Sequence, residues 1–154
     1  MNPLFLNALV WHIFLGIAAI IIFAGLPLLL RGKKLNTGLL KVYSFIGFFG
    51  FVGSWITGGY YYSFYYGKAI KGGILAGTTP WVHEILMESK EHVFLFLPFL
   101  AFVVLVIVNF FSKELVTNAK LRMNLILLSV AIVTLGIVIT LCGFAISGSV
   151  VGKH

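Results

Sequence analysis

Four long apolar stretches separated by short polar segments organise this chain. Leu4 to Leu30 is interrupted only by Asn7, His12 and the Gly25/Pro27 pair near its end. Val42 to about Tyr62 is rich in glycine and phenylalanine, and Met123 to about Ile146 is almost wholly apolar. Between these two lies Pro80 to Phe111, charged in its first third and without charge from Val93 onward. A hydrocarbon core about 30 Å thick takes about 20 helical residues, and each stretch supplies them. The pattern predicts an all-α membrane protein: one domain over 1–154, built as a four-transmembrane-helix up-down bundle with spans at about 4–30, 42–62, 80–111 and 123–146. Thr79 reads as a helix cap with Pro80 at the first helical position. The glycine-bearing segment from about Ser63 to Thr79 reads as a connector. The tail SGSVVGKH reads as frayed. Gly47, Gly50, Gly53 and Gly58 would weaken a water-exposed helix, but inside a membrane they admit a neighbouring helix closely.

Composition agrees with this reading. With 60% hydrophobic residues, 10% charged residues and a mean hydropathy of +1.09, a soluble fold of this size could not hide its apolar surface. The net charge of +7 points to topology rather than to nucleic acid, because most basic residues lie between apolar spans. Arg31, Lys33, Lys34, Lys41, Lys113, Lys120 and Arg122 fall on one side, against Lys68, Lys71, Lys90 and Lys153 on the other. The positive-inside rule makes the first group cytoplasmic and places both termini on the extracytoplasmic side of what reads as a multi-pass protein of a bacterial inner membrane. The single cysteine, Cys142, excludes an intramolecular disulfide and a CxxC site. The N-terminus lacks a basic n-region and an A-x-A site, so the first helix is expected to be retained.

The chemistry gathers at one height. Counting about 20 residues outward from Arg31, Lys41, Lys113 and Arg122 reaches His12, Gly59 to Tyr62, His92 and Cys142. Three of the four acidic residues, Glu84, Glu88 and Glu91, lie just beyond that level on the third helix. At 100° per residue they share a face with His92, while His83 and Lys90 share another. Charge entering an apolar span marks a candidate site. In an up-down bundle the first and third helices lie diagonally, so His12 and His92 are expected to approach one metal from opposite sides. The site expected is therefore a haem b or a transition metal, copper or iron, ligated by His12 and His92. Glu88 and Glu91 would orient or complete the sphere, and Trp55 and Tyr61 would wall it. Ala8, Gly16 and Ala19 leave a groove beside His12 for a flat cofactor or for another helix. Plainer readings stand beside these: interfacial histidines, a solvated acidic helix end, and an aromatic belt in the run Gly58 to Tyr66.

Three functions follow as expectations. The first is a small electron-transfer subunit, similar in architecture alone to small membrane b-type cytochromes, with a quinone or a redox protein as partner. The second is an accessory or scaffolding subunit of a larger membrane complex. The third is a metal or proton transporter, disfavoured because no charge lies in any span below His92. No nucleophile with a nearby base is visible, so no catalytic residue is assigned and the chain is not expected to be an enzyme on its own.

Overall fold

The computed structural model describes residues 2–151, and every regular element among them is helical. In chain order these are α1 (Pro3–Leu30), α2 (Thr37–Tyr61), a wide-turn π-helical segment π1 (Tyr62–Ile70), α3 (Lys71–Leu75), a second wide-turn segment π2 (Val82–Met87), α4 (Glu88–Phe110), α5 (Ser112–Thr117) and α6 (Ala119–Val151). Four helical stretches are long and apolar enough to cross a membrane: Pro3–Leu30, Thr37–Leu75, Val82–Phe110 and Ala119–Ser149. The chain is thus a multi-pass helical membrane protein.

Asparagine starts three of the helices. Asn2 accepts from the Leu4 N–H at 3.0 Å, Asn36 from Leu39 at 3.0 Å, and Asn118 from Leu121 at 3.0 Å. Each bond satisfies one of the amides that a first helical turn leaves without a partner. Pro3 follows Asn2 in the first turn, where its missing N–H costs nothing. On the other side of the bundle, Pro80 O receives His83 N at 2.9 Å and Glu84 N at 3.1 Å, starting the third long stretch close to the expected place.

Two expectations are corrected. The segment from Ser63 to Thr79 is not an open connector: helix continues through π1 and α3 to Leu75, and only residues 76–80 are non-helical. Aromatic rings four apart meet along its axis, Tyr61 tilted by 43° against Tyr65 at 5.5 Å and Tyr62 stacked on Tyr66 at 5.4 Å. The tail is helical as far as Val151, and the end of the expected frayed segment, residues 152–154, lies outside the described residues.

Helix packing follows four buried stripes that step by three or four residues. On α1 the stripe is Ala19, Phe23, Leu26 and Leu30. On α2 it is Leu40, Ser44, Gly47, Phe51 and Ser54. On α4 it is Leu97, Ala101, Val104 and Val108, and on α6 it includes Leu125, Ser129, Ile132, Ile139 and Ile146. Helix α1 packs on α2 and α6, and α4 packs on α2 and α6, which closes a four-sided ring.

The α1–α2 seam is the tightest. A Cβ added at Gly47 would lie 2.6 Å from Phe23 Cε2, and one at Gly50 would lie 3.0 Å from Ala19 Cβ. One at Gly16 would lie 3.0 Å from Ser54 Oγ. The pairing of Gly16 with Ser54, Ala19 with Gly50 and Phe23 with Gly47 shows that the two helices run antiparallel. Without a hydrophobic force between helices in lipid, such close backbone approach is what holds a pair together.

Candidate functional site

His12 lies on the α1 buried stripe extended toward the N-terminus, where the seam meets Ser54 and Gly58 of α2. Its Nδ1 is 2.8 Å from the Ser54 carbonyl oxygen and 3.0 Å from Ser54 Oγ. Ser54 Oγ in turn donates to the His12 carbonyl at 2.8 Å. A carbonyl can only accept, and the serine hydrogen is already committed, so the neutral ring carries its hydrogen on Nδ1. Nε2 therefore presents a lone pair, and no hydrogen bond reaches it among the described residues. The ring also meets the edge of Phe94 at 5.6 Å and 86°. The groove of small residues beside His12 is thus filled by α2, whose Gly58 leaves room for the imidazole.

Ser54→Ala removes the Oγ bond that ties the two helices at this point. It is expected to destabilise the folded protein by about 1 kcal/mol, read as a lower melting temperature in detergent, with the Nδ1 bond to the main-chain carbonyl retained. An unchanged melting temperature would show that the serine hydroxyl carries no weight in the seam.

Two cavities adjoin the ring. The smaller, about 130 Å³, is bounded by His12, Gly16, Ile20, Phe51, Lys90, Phe94 and Gly143, among others. The larger, about 280 Å³, is bounded by His12, Trp55, Gly58, Tyr61, Tyr62, Tyr66, Ile70, Met87, Lys90, Glu91 and Ile146, among others. Tyr62, Tyr66 and Ile70, spaced four apart along π1, share the side that bounds this cavity. One carboxylate oxygen of Glu91, Oε1, is buried without a partner, and this carboxylate interacts with the Tyr62 hydroxyl. Lys90 is half-buried on the same wall, close to α6, where a Cβ at Gly143 would lie 3.3 Å from its Nζ. Aromatic rings thus enclose an imidazole, an ammonium group and a carboxylate.

Of the residues read from the sequence, the structure brings His12, Trp55, Tyr61 and Glu91 to one cavity. His92 and Glu88 are elsewhere. His92 is exposed, its Nδ1 donates to the Glu88 carbonyl at 2.7 Å, and it bounds neither cavity. Glu84 and Glu88 are exposed as well. The acidic stripe therefore divides, with Glu91 turned inward and Glu84 and Glu88 outward. The reason is that the buried α4 stripe, followed upward from Leu97, passes Phe94, Lys90, Met87 and His83. The face carrying His83 and Lys90 is the one that meets the bundle, not the face carrying His92. Among the described residues no three metal-ligating side chains gather.

Sequence reasoning missed Ser54 and Lys90 as site residues, weighed Tyr66 only as part of the aromatic run Gly58 to Tyr66, and assigned His83 no role. His83 is 2% exposed. Its Nδ1 lies 3.1 Å from the Tyr66 hydroxyl, and its Nε2 is buried without a partner. Tyr66 belongs to a small second core with Ile74, Val82, Met87 and Ile146. The spacing Gly47, Gly50, Ser54, Gly58 was a usable signal for Ser54. Comparison with known protein families, curated proteins and solved structures gives no match.

Proposed function

We propose that this protein is a small integral membrane subunit that binds a ring-shaped redox molecule of the quinone class in the larger cavity and serves in electron transfer. One observation carries the reading. The cavity joins aromatic walls to three polar groups of different character: the free Nε2 of His12, the Lys90 ammonium and the unpartnered Glu91 oxygen. A quinone oxygen accepts from the ammonium, and a quinol hydroxyl donates to the imidazole or the carboxylate. A volume of about 280 Å³ lies at the lower edge of ordinary ligand pockets, about 300–1,000 Å³. It suits one ring with short substituents better than a porphyrin.

A second reading is favoured by the His12 tautomer. A ring nitrogen donating to a main-chain carbonyl is the usual way a histidine is oriented when its other nitrogen binds a metal. Haem iron or a copper or iron ion at His12 Nε2 remains a variant of the same proposal, with Glu91 as the nearest candidate second ligand. The ring of helix contacts and the lysine and arginine counts support an up-down bundle with both termini and the cavity extracytoplasmic, in a bacterial inner membrane. The outward face of Glu84, Glu88 and His92 is then free to meet a basic surface on a redox partner or a larger complex.

The test uses protein purified in detergent. Titration with a benzoquinone carrying a decyl tail is expected to quench tryptophan fluorescence saturably, because Trp55 bounds the cavity. A Soret band or stoichiometric metal in the same preparation would select the second reading. A colourless, metal-free protein that shows no saturable quenching would end both.

A further inference from the structure

We infer that Tyr66 and His83 form a proton relay on the wall of this cavity, which makes its ligand a ring bearing a weakly acidic hydroxyl: a phenol or a hydroquinone. The inference rests on the quinone-class reading of the cavity and adds the fate of the ligand's proton. Tyr66 bounds the cavity, and its hydroxyl lies 3.1 Å from His83 Nδ1. Behind it, His83 is 2% exposed and its Nε2 has no partner. A buried polar nitrogen left unsatisfied costs about 1–3 kcal/mol, which a purely packing role for this residue does not explain.

With the hydrogen of the neutral imidazole on Nε2, the tautomer the relay requires, the Tyr66 hydroxyl donates to Nδ1. When a ligand hydroxyl reaches Tyr66, its proton passes to the tyrosine oxygen as the tyrosine proton passes to Nδ1. One O–H bond breaks on the ligand, one breaks and one forms on Tyr66, and one N–H bond forms on His83. No electron moves. The products are a ligand phenolate, an unchanged tyrosine and an imidazolium.

The charges already present accommodate that pair. Lys90 stands on the cavity wall to face the phenolate. The Glu91 carboxylate interacts with Tyr66, beside the imidazolium. Two positive and two negative groups leave the site neutral, as it was before the transfer. The other titratable groups around the pair are Tyr61 and Tyr62, which both interact electrostatically with Tyr66, and His12 on the wall of the same cavity. The α6 side offers Gly143, Ile146 and Ser147. A phenolate gives up an electron more readily than the neutral ring, so the relay prepares a hydroquinone for oxidation by whatever partner follows.

The experiment uses a nitrophenol with an alkyl tail, whose colour reports phenol or phenolate, together with the decyl benzoquinone as a control for an intact cavity. In wild-type protein the bound nitrophenol is expected to titrate to phenolate at lower pH than in Tyr66→Phe or His83→Gln, by about one pH unit, a tenfold change in the equilibrium. Quinone binding should persist in His83→Gln, because His83 bounds neither cavity; Tyr66→Phe keeps the ring that stacks on Tyr62 and is read by its nitrophenol midpoint alone. Equal midpoints in all three proteins, with quinone binding intact, would overturn the relay and leave the cavity reading standing. Quinone binding without nitrophenol binding would also overturn the relay. Wild-type protein that binds neither compound would overturn both.

Discussion

Gly58→Val is expected to abolish ligand binding and to destabilise the protein by about 1–3 kcal/mol, the usual cost of overpacking. A Cβ at this position would lie 2.7 Å from His12 Cε1 and 3.1 Å from Cγ, and closer still to Nδ1. The ring cannot swing clear without breaking its bonds to Ser54. Either α1 and α2 separate, losing the contacts of Gly47 and Gly50 that hold the seam, or the imidazole leaves the cavity. Both outcomes remove Nε2 from its place. Gly59→Ala is the matched control, because nothing lies within 4 Å of its added carbon. It is expected to leave binding unchanged, and the better helix propensity of alanine should offset any loss of stability. The two variants are to be compared by thermal melting and by quinone titration. Equal behaviour would refute the close approach of α1 and α2 at this level.

His12→Ala is expected to weaken binding of the decyl benzoquinone about tenfold to a hundredfold. Losing a hydrogen-bonding partner in a buried site costs about 1–3 kcal/mol, and each 1.4 kcal/mol is about a factor of ten. If the occupant is a metal or haem, the same variant is expected to lose the absorbance band or the metal altogether. His92→Ala is the informative partner experiment. The sequence places His92 opposite His12, whereas the structure leaves it exposed and outside both cavities. Binding is therefore expected to be unchanged in His92→Ala. Equal losses in the two alanine variants would restore the paired-histidine arrangement and overturn the site as drawn.

Much of the fold was legible because a bilayer imposes a length. Twenty apolar residues and a basic loop locate a helix with little help from side-chain pattern. The same ruler brought His12, Tyr61 and Tyr62 to one height, and they do share a cavity. Rotation about each helix axis was harder to read. In water, a helix shows its buried side by contrast with a polar side. Here lipid replaces water, both sides are apolar, and the contrast disappears. For α4 the charged end was the only guide, and it suggested that the carboxylate stripe faced inward. The structure turns Glu84 and Glu88 outward and brings Lys90 in.

The wide turns of π1 and π2 were invisible for a related reason. Nothing in a run such as Tyr-Tyr-Tyr-Ser-Phe-Tyr-Tyr announces a change of helical pitch. Small residues carried more information than large ones: Gly16, Gly47, Gly50 and Gly58 mark the α1–α2 contact correctly, since a close backbone approach leaves no room for a side chain.

Thr37–Leu75 runs for 39 residues and Ala119–Ser149 for 31, while hydrocarbon covers only about 20 of each. Both stretches begin beside basic residues, Lys41 in one and Lys120 and Arg122 in the other, so their excess length accumulates at the far end. Tyr66, Ile70, Gly143 and Ser147, which bound the larger cavity, belong to that excess. On the proposed topology the chamber would straddle the boundary between oil and headgroups. A guest with a polar head and a long greasy tail could lodge its head there without ever drawing its tail out of the lipid.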